Sequence, residues 1–154
     1  MADMFNKPLT EEDIKNRLIT PAIEKAGWDK SHIRMEWSYT DGEIIVRDNM
    51  KHRGKRKKVD YVLLSDDNYP IAIVEAKSGK HAHYDGIQQA KDYANDITMM
   101  SKDFDVPFAF SSNGNKFRFY NRLDPEHPEK DLDINEFPSP DELKKIYAEK
   151  KQIT

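Results

Sequence analysis

The residues best suited to chemistry lie on two short apolar runs. Ile71-Ala72-Ile73-Val74-Glu75-Ala76-Lys77 ends in an acid and a lysine two residues apart. Its length and β-branched content predict a strand buried on both faces. Side chains alternate along a strand, so Glu75 and Lys77 point to the same side. Val59-Asp60-Tyr61-Val62-Leu63-Leu64-Ser65 opens with a second acid, and Asp66-Asp67-Asn68-Tyr69-Pro70 between the runs is rich in turn formers. An antiparallel hairpin closing near Ser65 and Pro70 sets Asp60 opposite Glu75. Opposed side chains sit about 4.5–5.5 Å apart at Cβ, and like charges there repel. Such a pair must share a proton or a cation, and a hard divalent ion such as Mg²⁺, which takes oxygen ligands, is the obvious resolution. A two-residue slip would keep both acids on one face but stagger them. The competing reading is a pair of solvated strand-end charges.

Other candidates gather around this pair. Thr10-Glu11-Glu12-Asp13 predicts a helix start, an N-cap Thr followed by acids in the first turn. Ile14, Leu18 and Ala22 continue at helical spacing, Pro21 should kink or split the helix, and Gly27 is a stop. Glu11 shares the inward stripe of Ile14 and Leu18, which makes it a candidate third oxygen ligand or support for the acid pair. The plainer reading, which these residues alone favour, is a first-turn Glu that suits the helix dipole and stays in water. A second helix, from about Asp85 to Ile97, has Ile87, Ala90, Tyr93, Ala94 and Ile97 on its apolar side. Gln89 and Tyr93, four apart, stand one above the other. An amide and a phenol there can orient the lysine, a water or a phosphate, although Tyr93 alone reads as a core-edge aromatic.

Directly upstream of Asp60 runs Lys51-His52-Arg53-Gly54-Lys55-Arg56-Lys57-Lys58, which reads as a solvated loop. Its cations Lys51, Arg53, Lys55, Arg56, Lys57 and Lys58 would stand where a phosphate backbone must lie if the site cuts nucleic acid. They would neutralise charge there without reading sequence. Gly54-Lys55 is not a phosphate-binding loop, because the required first Gly is missing and no Ser or Thr follows. His81 and His83 have too few companions for a transition-metal site and read as DNA-facing or merely exposed.

The remaining elements supply the frame. Ile33 to Tyr39 and Glu43 to Val46 read as two strands around Thr40-Asp41-Gly42, with Met35, Trp37 and Tyr39 on one face. Val106 to Ser111 is a strand, Asn113-Gly114 a type I′ turn signal and Lys116 to Tyr120 the return strand, with the phenylalanines as core. From Leu123 the chain is polar and Pro-interrupted, and Phe137-Pro138-Ser139-Pro140-Asp141-Glu142-Leu143 introduces a last helix capped by Ser139. This end reads as a connection to something else. A length of 154 residues suits one core. A net charge of −3 argues against a wholly nucleic-acid-binding surface, so a local basic patch matters more. The absence of cysteine excludes disulfides and zinc–thiolate sites. Met1-Ala2-Asp3-Met4-Phe5 has no basic n-region or apolar h-region, and no segment is long enough to span a membrane. A cytoplasmic location without a membrane partner is therefore expected.

The Asp60…Glu75-x-Lys77 spacing resembles the PD-(D/E)xK nuclease signature. More widely, the chain resembles the N-terminal nuclease domain of the R (HsdR) subunit of type I restriction enzymes from Leu9 to about Tyr147. The likeness rests on Leu18-Ile19-Thr20-Pro21, Ala26-Gly27-Trp28, Gly54 to Leu63, Pro70 to Lys77, Gln89-Ala90-Lys91-Asp92-Tyr93-Ala94, Phe110-Ser111-Ser112-Asn113-Gly114 and Phe137 to Leu143. It implies an α/β domain with a mixed central β-sheet flanked by helices, a restriction-endonuclease-like core. It further implies that Asp60 and Glu75 bind Mg²⁺, that the Ala76 carbonyl adds an oxygen, and that Lys77 positions or activates the attacking water. Gln89 and Tyr93 match the family's Gln-x-x-x-Tyr element, while Val59 stands where the signature has proline.

In that family the domain precedes an ATP-driven translocase. No Walker motif occurs here, so the chain is expected to be an N-terminal fragment. Residues 1–122 would then form the nuclease domain, and 123–154 a linker and helix leading towards an absent motor, to which ATP belongs. The implied partners are double-stranded DNA and, through a full-length R subunit, the M and S subunits that read the recognition sequence. Two other readings stand beside this one. A catalytically silent DNA-binding or docking module of the same fold is opposed by the joint presence of Asp60, Glu75, Lys77, Gln89 and Tyr93. A stand-alone defence or repair nuclease would share the site but not the partners.

Overall fold

The two apolar runs form the hairpin at the middle of a mixed sheet. The structure, a computed structural model, describes residues 7–40, 43–45, 51–53, 56–101, 103 and 105–152, with backbone alone for 43–45, 51–53, 151 and 152. Its strands are β1 (Ile33–Thr40), β2 (Glu43–Ile45), β3 (Lys51–Arg53), β4 (Arg56–Leu64), β5 (Pro70–Ala76), β6 (Phe108–Ser112), β7 (Lys116–Asn121) and β8 (Glu129–Asp133). Six of them make one sheet in the order β1-β4-β5-β6-β7-β8, and β2 with β3 makes a separate pair. The β5–β6 pair is parallel and its neighbours are antiparallel. A parallel pair needs a crossover, and α3 (Ile87–Met100) supplies it. This is the mixed α/β architecture expected from the sequence.

Both faces of β4 and β5 are covered. On one face Ile14, Ile19 and Ile23 from the N-terminal helices, with Trp28 just after them, pack on Tyr61, Leu63, Val74, Phe110 and Phe117, joined by Phe137 and Leu143. On the other face Ala90, Tyr93, Ala94 and Ile97 of α3 cover Val62, Leu64, Ile73 and Ala109. Residues from Leu123, expected as a linker and helix, contribute β8 along β7, and the terminal helix is α4 (Pro140–Gln152). Phe137 lies 4.6 Å from Phe110 and 4.8 Å from Phe117, ring to ring, and Trp28 Nε1 donates to the Pro138 carbonyl at 2.9 Å. The Ser139 hydroxyl caps α4 by accepting the Glu142 N–H. Among the described residues, no helix is long and apolar enough to cross a membrane.

Several local expectations are corrected. Ile33–Thr40 does not pair with the strand at 43–45; it pairs with β4, and β2 pairs with β3. The basic run is not a loop throughout, since Lys51–Arg53 and the chain from Arg56 are strand; Lys55 lies outside the described residues. The first helix is divided just before Pro21, by a π-turn rather than by a break in the helical run. It runs as α1 (Glu11–Ile14), a π-turn (Lys15–Ile19) and α2 (Thr20–Lys25), with Pro21 in the first turn of α2. Proline lacks the N–H for an i→i−4 bond and crowds the preceding turn, and the wider winding just before it, in which the Thr20 N–H reaches the Lys15 carbonyl, accommodates both effects. The 113–115 connection is not a type I′ turn, which needs positive φ at both central residues. Of Asn113 and Gly114 only Gly114 has it, at +93°. The turn is held instead by side chains: Ser112 Oγ accepts the Gly114 N–H at 2.9 Å, and Asn113 Oδ1 accepts the Asn115 N–H at 3.0 Å.

Gly114 also fixes how closely the N-terminal helix lies on the sheet. A Cβ there would sit 2.6 Å from Leu18 Cδ1 and 2.9 Å from Ile14 Cδ1, on a backbone that L-residues rarely adopt. Gly114→Ala should therefore destabilise the chain by about 1–3 kcal/mol through overpacking and backbone strain, read as a lowered urea midpoint with an unchanged slope.

Candidate active site

The acid pair meets where the sheet forks. The β4–β5 ladder runs Leu63↔Ala72, Val62↔Ile73, Tyr61↔Val74 and stops there. The next pair in that register is Asp60 with Glu75, as the sequence predicts. Beyond it β4 stays with β1 as far as Thr40↔Arg56, and β5 stays with β6 as far as Ala76↔Ser112. Side chains take over the hydrogen bonding at the fork. Glu75 Oε2 accepts the Asp60 N–H at 2.8 Å, and Asp60 Oδ2 accepts the Ala76 N–H at 2.8 Å. Both acids are buried, Asp60 at 8% and Glu75 at 4% exposure. Burial, and then the charge of Asp60, push the Glu75 carboxyl well above the ordinary carboxylate range.

Alternation fails at this point. Val59 packs on the α3 side and Tyr61, two residues on, packs on the opposite face. The irregularity extends to the neighbouring strand. Met35↔Tyr61 and Trp37↔Val59 bracket Glu36, which stands beside Asp60 with φ +52°. The register then continues from Glu75 through Ser111 and Arg118 to Asp131. A single row of polar side chains, Glu36, Asp60, Glu75, Ser111, Arg118 and Asp131, thus crosses all six strands.

The candidate partners converge on this row. Lys77 follows β5, half-buried, with its N–H on the Ser112 carbonyl at 2.8 Å. Gly86, at the start of α3, lies so close that a Cβ would meet Ser111 Oγ at 2.8 Å, Lys77 Cε at 3.3 Å and Glu75 Cβ at 3.4 Å. The Gly86 N–H donates to Ser111 Oγ at 3.0 Å, which brings the first turn of the helix against the acid-x-lysine segment. Gln89 Nε2 donates to Tyr93 Oη at 2.8 Å, as their spacing predicts. Burial, then the charge of Glu75, raise the Tyr93 phenol above its usual range. Glu11 is exposed on its helix. Even so, burial and the charge of Asp60 raise its carboxyl, while Lys77 and Lys15 pull it back, so it belongs to the same field.

Lys15, Glu36, Ser111 and Gly86 are absent from the sequence-derived set. Lys15 is buried with its Nζ 3.4 Å from Asp60 Oδ1 and 3.2 Å from Glu36 Oε1. Burial pulls the Lys15 pKa down, but the two carboxylates outweigh this and hold it above the usual lysine range. Its signal in the sequence is faint: it lies four residues after Glu11, hence above it on one helical face.

The basic run divides by strand parity. Lys57 Nζ pairs with Asp96 Oδ2 of α3 at 2.8 Å, Lys58 Nζ lies 3.4 Å from Glu36 Oε1, and Arg56 is exposed. The side chains of Lys51, Arg53 and Lys55 lie outside the described residues. The histidines bond to carboxylates, His81 Nδ1 to Asp85 Oδ2 at 3.1 Å and His83 Nε2 to Asp131 Oδ1 at 2.8 Å.

Among the described residues, no group of three or more His, Cys, Asp or Glu side chains is arranged to hold a metal ion. The donors at the fork are two carboxylates and main-chain carbonyls. That hard-oxygen set fits Mg²⁺, which commonly takes only one or two protein carboxylates and completes its shell with water and substrate phosphate.

A family model described as the type I restriction enzyme R protein N terminus (HSDR_N) matches residues 8–128. The chain belongs to that family. It is 39% identical over 146 residues to the type I restriction enzyme EcoAI endonuclease subunit of Escherichia coli, an alignment spanning 93% of this chain and 17% of that protein. It also matches a solved fragment described as an HsdR subunit of a type I restriction enzyme from Vibrio vulnificus YJ016. The TM-score is 0.74 and the identity 32%, over 97% of this chain and 27% of the other. The chain therefore spans under a fifth of the length of the curated R-subunit relative. The matched segment includes Asp60, Glu75, Lys77, Gln89 and Tyr93.

A raised folded-state pKa stabilises the fold below the unfolded-state value, and that stability is lost as pH rises through the folded value. Glu75 should therefore make the chain, in chelator, less stable from neutral towards alkaline pH. Glu75→Gln should flatten this dependence, read from urea unfolding of both chains across that range.

Proposed function

We propose that this R-subunit N-terminal domain is a Mg²⁺-dependent endonuclease that hydrolyses phosphodiester bonds of double-stranded DNA without reading its sequence. One observation carries the reading: two buried carboxylates, Asp60 and Glu75, meet at a fork in the sheet beside Lys77. Asp60, Glu75 and the Ala76 carbonyl would hold the ion. When bound, it would supply Lewis acidity and a water of lowered pKa.

The chain's own residues supply positioning and charge. Lys77 would orient the attacking water and donate to the phosphate oxygens on which charge builds, an effect strongest in a partly dry site. Gln89 and Tyr93, already bonded to each other, would hold a water, the lysine or a phosphate oxygen in place. Glu11 would support the pair from the helix side. Arg56, with Lys51, Arg53, Lys55, Lys57 and Lys58, would neutralise the DNA backbone. Likeness to the relatives supports work within a full R subunit. On this reading M and S subunits would be its partners, the cytoplasm its location, and ATP would belong to a motor outside this chain.

Calorimetry with Mg²⁺ tests the reading. The wild type should bind, and folded Asp60→Asn and Glu75→Gln chains should not. Lys77→Ala should keep metal binding while DNA cleavage falls on the order of 10²–10³-fold, the loss typical for one electrostatic stabiliser. Equal Mg²⁺ binding by the wild type, Asp60→Asn and Glu75→Gln, with and without duplex DNA, would overturn the reading.

A further inference from the structure

We propose that Lys15 is a positioning residue of this site: a buried ammonium that fixes the Asp60 carboxylate in the orientation a small divalent cation requires. The inference rests on the metal reading above and concerns a residue on a different layer of the fold.

Geometry carries it. Lys15 is 3% exposed, and a lysine so buried is almost always paired. It opens the π-turn, in which the Thr20 N–H reaches the Lys15 carbonyl. Such turns are rare and frequently mark functional positions. From there Nζ meets Asp60 Oδ1 at 3.4 Å, while the Ala76 N–H holds Asp60 Oδ2 at 2.8 Å. One carboxylate is thus tethered at both oxygens, by the sheet on one side and by the helix layer on the other. A single tether would leave the carboxyl plane free to turn about Cβ–Cγ, and two tethers fix it.

The lysine is itself fixed. Glu36 takes Nζ at 3.2 Å and is in turn met by Lys58 at 3.4 Å. It does so from a left-handed backbone, φ +52°, that a glutamate rarely adopts. Such outliers persist where the surroundings over-determine them and cluster at functional sites. Stability alone is a poor reason for this arrangement, because buried ion pairs are often no better than well-packed apolar side chains. Supporting a ligand's orientation is a better one, since groups that hold metal ligands commonly contribute 10–100-fold to affinity.

The test compares two cations. Mg²⁺ demands near-ideal octahedral geometry, whereas Ca²⁺ tolerates irregular shells. In calorimetry, Lys15→Met should lower Mg²⁺ affinity on the order of tenfold and Ca²⁺ affinity by less, so that the Mg²⁺/Ca²⁺ preference falls. Both affinities rising together would mean that Lys15 acts only as a repelling charge. A lowered melting temperature with an unchanged preference would mean a merely structural role. Either result overturns the inference while leaving the metal reading intact, whereas a wild type that binds neither ion overturns both. If Lys15→Met does not fold, nitrogen NMR of the lysine ammonium groups in the wild type decides. The Lys15 signal should move on Mg²⁺ addition, and a signal that stays in place overturns the inference.

Discussion

Two hydrogen bonds between carboxylates and main-chain amides organise this molecule. At Asp60 and Glu75 the antiparallel ladder stops using its own carbonyls, and each acid takes an N–H from the other strand. A buried carboxylate is costly unless its oxygens are matched, and this exchange matches one oxygen of each. It also ends the pairing of β4 with β5, so that β4 continues along β1 and β5 along β6. The helix layers on both faces bring polar groups to the fork, Lys15 from one and the Gly86 N–H from the other.

How far these features can be read from sequence depends on how local their causes are. The opposition of Asp60 and Glu75 follows from a hairpin whose turn formers and apolar runs are contiguous, so the order of residues alone sets its register. Gln89 and Tyr93 meet because four residues make one helical turn. Glu36 beside Asp60 has no such local cause, because β1 skips β2 and β3 to pair with β4, and a chain read in order favours the nearer partner. The burial of Lys15 is hidden for a related reason. It depends on a π-turn that rotates the helix face, and on an acid 45 residues away. The chain after Leu123 is polar in sequence because β8 is an edge strand. Its Phe137 and Leu143 nevertheless reach the main core.

Charge bookkeeping by sequence proximity also has limits. Lys57 and Lys58 are neighbours in a basic run, but strand parity directs one to Asp96 on α3 and the other to Glu36 on β1. A run of cations on a strand is two rows on two faces, and each row is compensated separately. Arg56 and Lys58 are left exposed at the start of β4, and of these Lys58 is met by Glu36.

The order in which contacts close along the chain has a kinetic consequence. Asp60 and Glu75 are 15 residues apart and join through a tight hairpin, whereas the Lys15 contact with Asp60 closes a loop three times as long. Loop closure favours the shorter connection first. The nascent hairpin must therefore carry two facing acids before the ammonium from the helix layer arrives. Mutual repulsion in that half-built sheet would be relieved by counterions in solution or by a shared proton. The element that concentrates negative charge in the finished fold is thus also the step at which salt and acidity act on the speed of its assembly.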